Sequence, residues 1–423
     1  LSEFETYPIL VAMSEMDLGP CHVDVGKMAS TLIERSIKDE AEIKHYVNEQ
    51  CAKVIGVATP PLAAPQDIVL FGFGRIGRLL ARLLIEKTGG GTQLRLRAIV
   101  VRRSGANDIA KRAGLLRRDS VHGSFQGTLR VDEENECIIA NGNVIRVIYA
   151  EGPDKVDYTS YGIDNAIIID NTGAWSDEEG LSQHLKSKGA SRVILTAPGK
   201  GSIKNIVAGI NHRDIEPEDA LLAAASCTTN AIVPVLKAVN DRFGIVNGHM
   251  ETVHAYTNDQ NLIDNFHKKN RRGRGAPLNM VITETGASSA VTKLLPELDG
   301  KLTGNAIRVP TPNVSLVILN LTLDQTTDEE EVKEFLRTSA LHGKLQRQID
   351  FTTSPDIVSS DLVGNRHACI VDGEAMIVKD NRVVLYVWYD NEFGYSCQVV
   401  RVVQKMAGIS YPLIPENAED MGF

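Results

Sequence analysis

The stretch Asp67-Ile68-Val69-Leu70-Phe71-Gly72-Phe73-Gly74-Arg75-Ile76-Gly77 decides the fold. Ile68 to Phe71 is a short apolar run of the kind buried on both faces of a parallel sheet. Gly72, Gly74 and Gly77 follow it in the pattern GxGxxG, and Ile76 to Ile85 reads as a helix. Strand, glycine loop and helix in this order make a dinucleotide-binding turn. One glycine allows the tight turn, one lets backbone N–H groups reach a pyrophosphate, and one lets helix meet strand. The helix tip then points the positive end of its dipole at the phosphates. Taken alone, the pattern also describes a plain glycine turn, so its surroundings must decide.

Those surroundings repeat the alternation. LRLRAIVV ends a second strand at Val101, Ile167–Ile169 and Val193–Leu195 are further apolar strands, and Asp177–Lys188 is a helical stretch between them. Strands alternating with helices imply an α/β fold with a doubly wound, Rossmann-type parallel sheet. Beyond Cys227 a long helix runs towards Phe243. Longer strands with fewer helices between them follow at Gly248–Ala255, Ala306–Leu323 and Arg382–Tyr389, which suggests an α+β second domain. Gln398–Met406 is a last apolar helix. The expected division is residues 66–226 as the dinucleotide-binding domain, completed by 391–423, and 227–390 as the catalytic domain.

Residues 1–65 read as an appended helical segment and linker. Leu32, Ile33, Ile37, Ile43 and Val47 recur at near-helical spacing, and Gly56, Pro60, Pro61 and Pro65 stiffen the connection. The 423-residue chain has a 43% hydrophobic and 23% charged composition, that of a folded globular protein. Its net charge of −9 leaves no global field for nucleic acid. No apolar run approaches the roughly 20 residues that span a bilayer, and LSEFETYPILVAMSEMD lacks a signal-peptide layout. The six cysteines form no CxxC pair, so the expectation is a cytoplasmic protein with no metal site, no membrane and no nucleic acid partner.

One cysteine stands apart. Ser226-Cys227-Thr228-Thr229-Asn230 opens the helix AIVPVLKAVNDRFG, with Ser226 as its N-cap. Cys227 then lies in the first turn, where the helix dipole favours a thiolate, and Pro234 is expected close to that turn. His254, in the strand-like Val253-His254-Ala255, is the candidate base, although spacing alone does not bring it to Cys227. The second strand ends in Val101-Arg102-Arg103 where an acidic residue would grip a ribose. Arginines there suit a 2′-phosphate, or simply face solvent. The run FHKKNRRGR reads as a solvated basic face or as an attractor of phosphorylated ligands.

The runs SCTTNAIVPVLKAVNDRFGI, TVHAYTNDQ, RRGRGAP, TETGASSAVTKLLPELDGKLTGNAIRVPTPNVS and WYDNEFGY, in this order, resemble the phosphorylating glyceraldehyde-3-phosphate dehydrogenase family over about residues 66–410. The resemblance implies Cys227 as nucleophile and His254 as general base. It places Arg75 and Ile76, with the glycines, at the pyrophosphate of NAD or NADP, Thr172 and Gly173 on the adenosine side, and Thr196 and Asn391 near the nicotinamide. It implies Thr257 and Arg308 for the substrate's phosphate, and Ser226, Thr228, Thr285 and Gly286 for the attacking inorganic phosphate. Thr257–Ala276 resembles a loop that crosses to a neighbouring subunit, implying a homotetramer. Arg102 occupies the position of an aspartate in NAD-preferring members.

The implied reaction oxidises glyceraldehyde 3-phosphate to 1,3-bisphosphoglycerate through a cysteine thioester, in glycolysis or gluconeogenesis. Two alternatives stand beside it: an erythrose-4-phosphate dehydrogenase, and a non-catalytic NAD-binding regulatory protein. Thr285-Gly286 favours the phosphate-using enzyme over the first, and the presence of both Cys227 and His254 argues against the second.

Overall fold

The computed structural model describes residues 1–57, 62–89 and 91–416. Pro60, Pro61 and the end of the expected C-terminal completion, 417–423, lie outside the described residues. The chain divides into two compact units, Gln66–Met406 and a smaller one in which the first 65 residues join the stretch after Met406.

The smaller unit holds three helices, Glu3–Ser14, Val25–Glu34 and Glu40–Cys51. Ser2, Asp24 and Asp39 cap them, each side chain accepting from a first-turn N–H that has no partner within the helix. Ile9, Met28, Leu32, Ile43, Val47 and Cys51 form their core, and Ile414 completes it. His22–Val23 and Leu413–Ile414 pair as short parallel strands. This corrects the expected C-terminal boundary. Phe393–Met406 is helical and packs on Arg75–Glu86 in the larger unit, but the chain then leaves, because Ile414 is buried in the helical module instead.

In the larger unit, a sheet with nine strands among the described residues carries the dinucleotide motif. Seven are parallel, in the order Lys204–Asn205, Leu221–Ala223, Ala190–Leu195, Ala166–Asp170, Gln66–Phe71, Leu94–Val101, Asn143–Tyr149. Cys137–Ala140 and Leu129–Asp132 extend the edge antiparallel. The strand order reverses at Gln66–Phe71, flanked by Leu94–Val101 on one side and Ala166–Asp170 on the other. The glycine loop thus leaves the sheet at its topological switch point, where open α/β sheets bind ligands.

The second sheet has seven strands among the described residues, in the order Val281–Thr283, Leu302–Val309, Ile245–Ala255, Ser315–Leu323, Arg382–Tyr389, Cys369–Lys379, Ile349–Thr352. The helix Cys227–Phe243 packs on one face, where Val233, Leu236 and Phe243 share a core with Val317, Leu319, Leu385 and Val387. Ser315–Leu323 alternates buried residues with half-buried or, at Asn320, exposed ones, as a strand with one face on a core must. Ala306–Leu323, read as one strand, is two. Pro310 to Val314 divides them, and Val314 is left-handed at φ +64°.

Candidate active site

Register brings the first two groups together. Ile245–Ala255 and Leu302–Val309 run parallel with His254 opposite Arg308, so both side chains leave the sheet on the same face. The N-terminus of the helix Cys227–Phe243 meets that face. Cys227 Sγ lies 3.6 Å from His254 Nε2.

The helix tip is fixed from several sides. Ser226 Oγ accepts from Thr229 N–H (2.9 Å), as an N-cap does. Asn230 Nδ2 donates to Ala224 O (2.8 Å) and Ser226 O (2.9 Å), and Tyr395 Oη donates to Ala225 O (2.9 Å). Ala225 between them has φ +54°, a left-handed conformation that costs an L-residue about 1–2 kcal/mol. Three side-chain bonds to consecutive carbonyls hold this strained turn and so aim Cys227. Thr228 Oγ1 shares a hydrogen bond with Tyr389 Oη (3.0 Å), and the Tyr389 ring meets the His254 ring edge-on at 6.0 Å. Pro234 is the eighth residue of the helix, not part of its first turn, and the helix continues through it.

The electrostatics correct the expectation of a thiol eased downward by the helix tip alone. Burial pushes the Cys227 thiol up, while the Arg308 charge and N–H groups at the helix start pull the other way. Burial first, and then Arg308, lower the imidazole of His254 to about 3. At neutral pH the pair rests as thiol and neutral imidazole. In the tautomer that donates from Nδ1 to Ala255 O (2.7 Å), Nε2 presents its lone pair to the thiol. Arg308 Nη1 lies 2.6 Å from Nδ1 and donates to Ala255 O (3.2 Å), so a permanent cation sits beside the pair.

Thr257 lies past the end of the His254 strand, its Oγ1 donating to Asp259 (2.8 Å). Asp259 also pairs with Arg272, one of the cations of the run FHKKNRRGR. Only 12% of that side chain is exposed, and its charge reaches His254. Arg272 and Thr285 line one basic pocket. Gly286 stands at the N-cap of the helix Ala287–Leu294. Asn391 is buried with Oδ1 accepting from Ser315 Oγ (2.8 Å), which itself accepts from Ala255 N–H (3.0 Å).

A cleft of about 500 Å³ opens at the glycine loop, lined by Gly72, Gly74, Val101, Arg102, Thr172 and Trp175 among others. Gly72 has φ +92°, and a Cβ on Gly77 would come within 2.6 Å of Gly72 O. Space is open where a Cβ on Gly74 would stand, which leaves the backbone bare at the tip of the helix Arg75–Glu86. A dinucleotide pyrophosphate fits this arrangement. Thr172 is fixed by Asp170, its N–H and Oγ1 both donating at 2.7 Å, and Gly173 follows at φ +65°. Thr196 Oγ1 donates to Asp170 O (3.1 Å), so these residues share the C-terminal edge of the sheet.

Two arginines behave differently from expectation. The Arg75 guanidinium turns to Asp119 (2.8 Å) and Glu392, leaving its helix-tip N–H, with that of Ile76, for any phosphate. Of the pair Arg102-Arg103, only Arg102 lines the cleft, 68% exposed and loosely tied to Glu151 O (3.4 Å). Arg103 lies over the Tyr149 ring at 3.7 Å. Arg112 also lines the cleft, anchored to Asp108 and donating to Arg102 O (2.8 Å). No sequence signal marked it beyond its helical spacing from Asp108.

Among the described residues, no helix is long and apolar enough to cross a membrane. Residues 66–178 match the NAD binding domain of glyceraldehyde 3-phosphate dehydrogenase, and 226–391 match its C-terminal domain. A glyceraldehyde-3-phosphate dehydrogenase-like protein of Pseudomonas aeruginosa is 64% identical over 98% of this chain and 90% of its own. Glyceraldehyde-3-phosphate dehydrogenases of Borreliella burgdorferi and Zymomonas mobilis are 39% and 37% identical, over 80% of this chain and 99% and 98% of theirs. The Pseudomonas relative therefore shares nearly the whole chain, including most of the helical module. With both domains matched in order around a thiol–imidazole pair, this chain belongs to the glyceraldehyde-3-phosphate dehydrogenase family.

Proposed function

We propose that this protein oxidises glyceraldehyde 3-phosphate to 1,3-bisphosphoglycerate, taking up inorganic phosphate and using NAD or NADP. The observation that carries the reading is the 3.6 Å approach of Cys227 Sγ to His254 Nε2 at a helix tip, with Arg308 beside it. Cys227 attacks the aldehyde carbon while its thiol proton passes through Nε2 to the carbonyl oxygen, giving a thiohemiacetal and leaving Nε2 empty again. Nε2 then takes the hydroxyl proton of that adduct as general base. When bound, a nicotinamide dinucleotide supplies the hydride acceptor that makes the oxidation to a thioester possible. Gly72, Gly74, Gly77, Arg75, Ile76, Arg102, Thr172, Gly173, Thr196 and Asn391 would hold it.

Arg308 and Thr257 hold the substrate's own phosphate through charge-assisted bonds. Ser226, Thr228, Thr285, Gly286 and the inward-turned Arg272 hold the phosphate that attacks the thioester. Its attack breaks the carbon–sulfur bond and returns the thiolate, which recovers a proton from His254.

A homotetramer fits the loop after Thr257. Leu262, Phe266, Leu278 and Met280 are exposed at 75%, 89%, 86% and 74%, more apolar surface than a single loop keeps in water. We place the protein in the cytoplasm, where its phosphorylated substrate and reduced thiol belong. The test is reduced-cofactor formation from glyceraldehyde 3-phosphate with and without inorganic phosphate, with hydroxylamine trapping of the acyl phosphate. Phosphate-independent oxidation to the free acid, or a preference for erythrose 4-phosphate, overturns the reading.

A further inference from the structure

Three residues, Asp390-Asn391-Glu392, join the strand Arg382–Tyr389 to the helix Phe393–Met406. Asn391 is tied to the catalytic sheet through Ser315, while the residues on either side of it reach towards the dinucleotide-binding domain. Glu392 accepts from Arg75 with both oxygens, Oε1 from Nε at 2.7 Å and Oε2 from Nη2. Arg75 is the first residue of the helix whose tip the glycine loop leaves bare. Its Nη1 donates to Asp119 Oδ2 (2.8 Å), and Asp119 Oδ1 accepts from the N–H groups of Val121 and His122 (3.0 Å each). His122 Nε2 stands 3.4 Å from Asp390 Oδ2, which closes a ring of side chains around the turn. Asp390 Oδ1 in turn accepts from the N–H groups of Glu392 (2.9 Å) and Phe393 (2.7 Å).

The ring is largely dry. The Asp119 and His122 side chains are 5% exposed and that of Glu392 14%, so salt screens these charges little. Burial pushes the Asp119 carboxyl up, but the N–H groups of His122 and Val121 and the Arg75 charge hold it well below the usual carboxylate range. With Nε, Nη1 and Nη2 each on a carboxylate, the Arg75 guanidinium acts as a rigid fork between protein segments. A lysine, with one point of attachment, has no equivalent of that fork.

We propose that Arg75 and Glu392 are positioning residues that set the spacing between the two ends of the dinucleotide site. The helix tip holds the pyrophosphate, Asn391 holds the nicotinamide, and the Arg75–Glu392 pair fastens one to the other, since Glu392 directly follows Asn391. The inference rests on the reading above that Asn391 holds the nicotinamide. Preorganisation of this kind strengthens binding of the whole dinucleotide and leaves binding of its adenosine half unchanged.

The experiment titrates the full chain by calorimetry with NAD and with ADP-ribose, which lacks the nicotinamide, and reads the ratio of the two affinities. Where NADP binds better, it is paired with ADP-ribose 2′-phosphate. In R75K and in E392Q the preference for the dinucleotide should fall about tenfold, while the Kd for ADP-ribose holds within about twofold. The double variant R75K/E392Q should fall no further than either single one, because both break the same link; an additive fall overturns the proposal. N391A, which removes the nicotinamide contact itself, should lower the ratio in the same direction. A lowered ratio in N391A with wild-type ratios in R75K and E392Q overturns the positioning role and leaves the reading of Asn391 standing. An unchanged ratio in N391A removes that reading and the proposal with it. Equal weakening of NAD and ADP-ribose in R75K would make the side chain a phosphate ligand, and also overturns the proposal.

Discussion

Arg308 Nη1 stands 2.6 Å from His254 Nδ1, on the side of the imidazole away from the thiol. A fixed cation there works against imidazolium and for thiolate at once. It makes His254 a base that starts empty, ready to take the proton of Cys227 when an aldehyde arrives. Parallel pairing of two strands puts the guanidinium in place, so the arrangement costs the active site no flexible loop.

Replacing His254 with Asn removes that base and should cost about 10²–10⁴-fold in kcat. The substitution also reports on pH. The native imidazole, lowered to about 3, stays neutral where an unfolded one at its ordinary value near 6.5 gains a proton. Between these values the unfolded chain binds more protons, so stability falls as pH drops below about 6.5 and the loss is complete near 3. Thermal unfolding between pH 7 and 5 should therefore show a shallower fall in Tm for His254→Asn than for wild type. Equal slopes would mean that the histidine titrates normally in the fold.

Arg102→Asp tests the cofactor. An exposed arginine at the mouth of the cleft, beside Glu151, can fork around a 2′-phosphate, whereas an aspartate repels it and accepts from ribose hydroxyls. The ratio of kcat/KM for NADP over NAD should fall about tenfold or more, the value of one charge-assisted bond. An unchanged ratio shows that Arg102 merely faces solvent.

Ile414 tests the helical module. Its side chain is 1% exposed in a core otherwise made by the first 54 residues. Ile414→Ala should destabilise that unit by about 2–5 kcal/mol through lost contacts and a cavity. Limited proteolysis should cut within residues 1–57 sooner, while kcat for aldehyde oxidation holds. Unchanged protection would mean that the pairing of Leu413–Ile414 with His22–Val23 contributes little.

What the residues announced in advance was whatever depends on local chemistry. The glycines at 72, 74 and 77 are dictated by backbone approach, and Ser226 caps the helix that carries Cys227 because an uncapped tip leaves N–H groups bare. Within the appended helical segment, no one-sided apolar pattern marks the first helix, Glu3–Ser14, because its apolar residues cover more than one side: Ile9 is buried while Phe4 and Tyr7 are exposed. The inward turn of Arg272 has a tertiary cause. Within RRGR nothing separates an inward arginine from an outward one. The difference arises from the left-handed Arg271 and the backbone bond from Asn261, which turn Arg272 to Asp259. The fate of residues 407–416 depends on a core built by the other end of the chain, which no local pattern records.

Asn230 is the residue through which these levels meet. Its amide closes on Ala224 O and Ser226 O, holding the left-handed Ala225 that lifts Cys227 to the helix tip. Asn230→Ala leaves two carbonyls without these donors, at a cost of about 1–3 kcal/mol for the buried one. It touches neither substrate nor cofactor, so its effect on rate must come through the position of Sγ. We expect kcat to fall while the KM for cofactor holds, and alkylation of Cys227 to slow in the free protein. Asn230→Asp restores acceptors but not donors and should not rescue. Slow alkylation with full kcat would separate reactivity from aim and refute the positioning role.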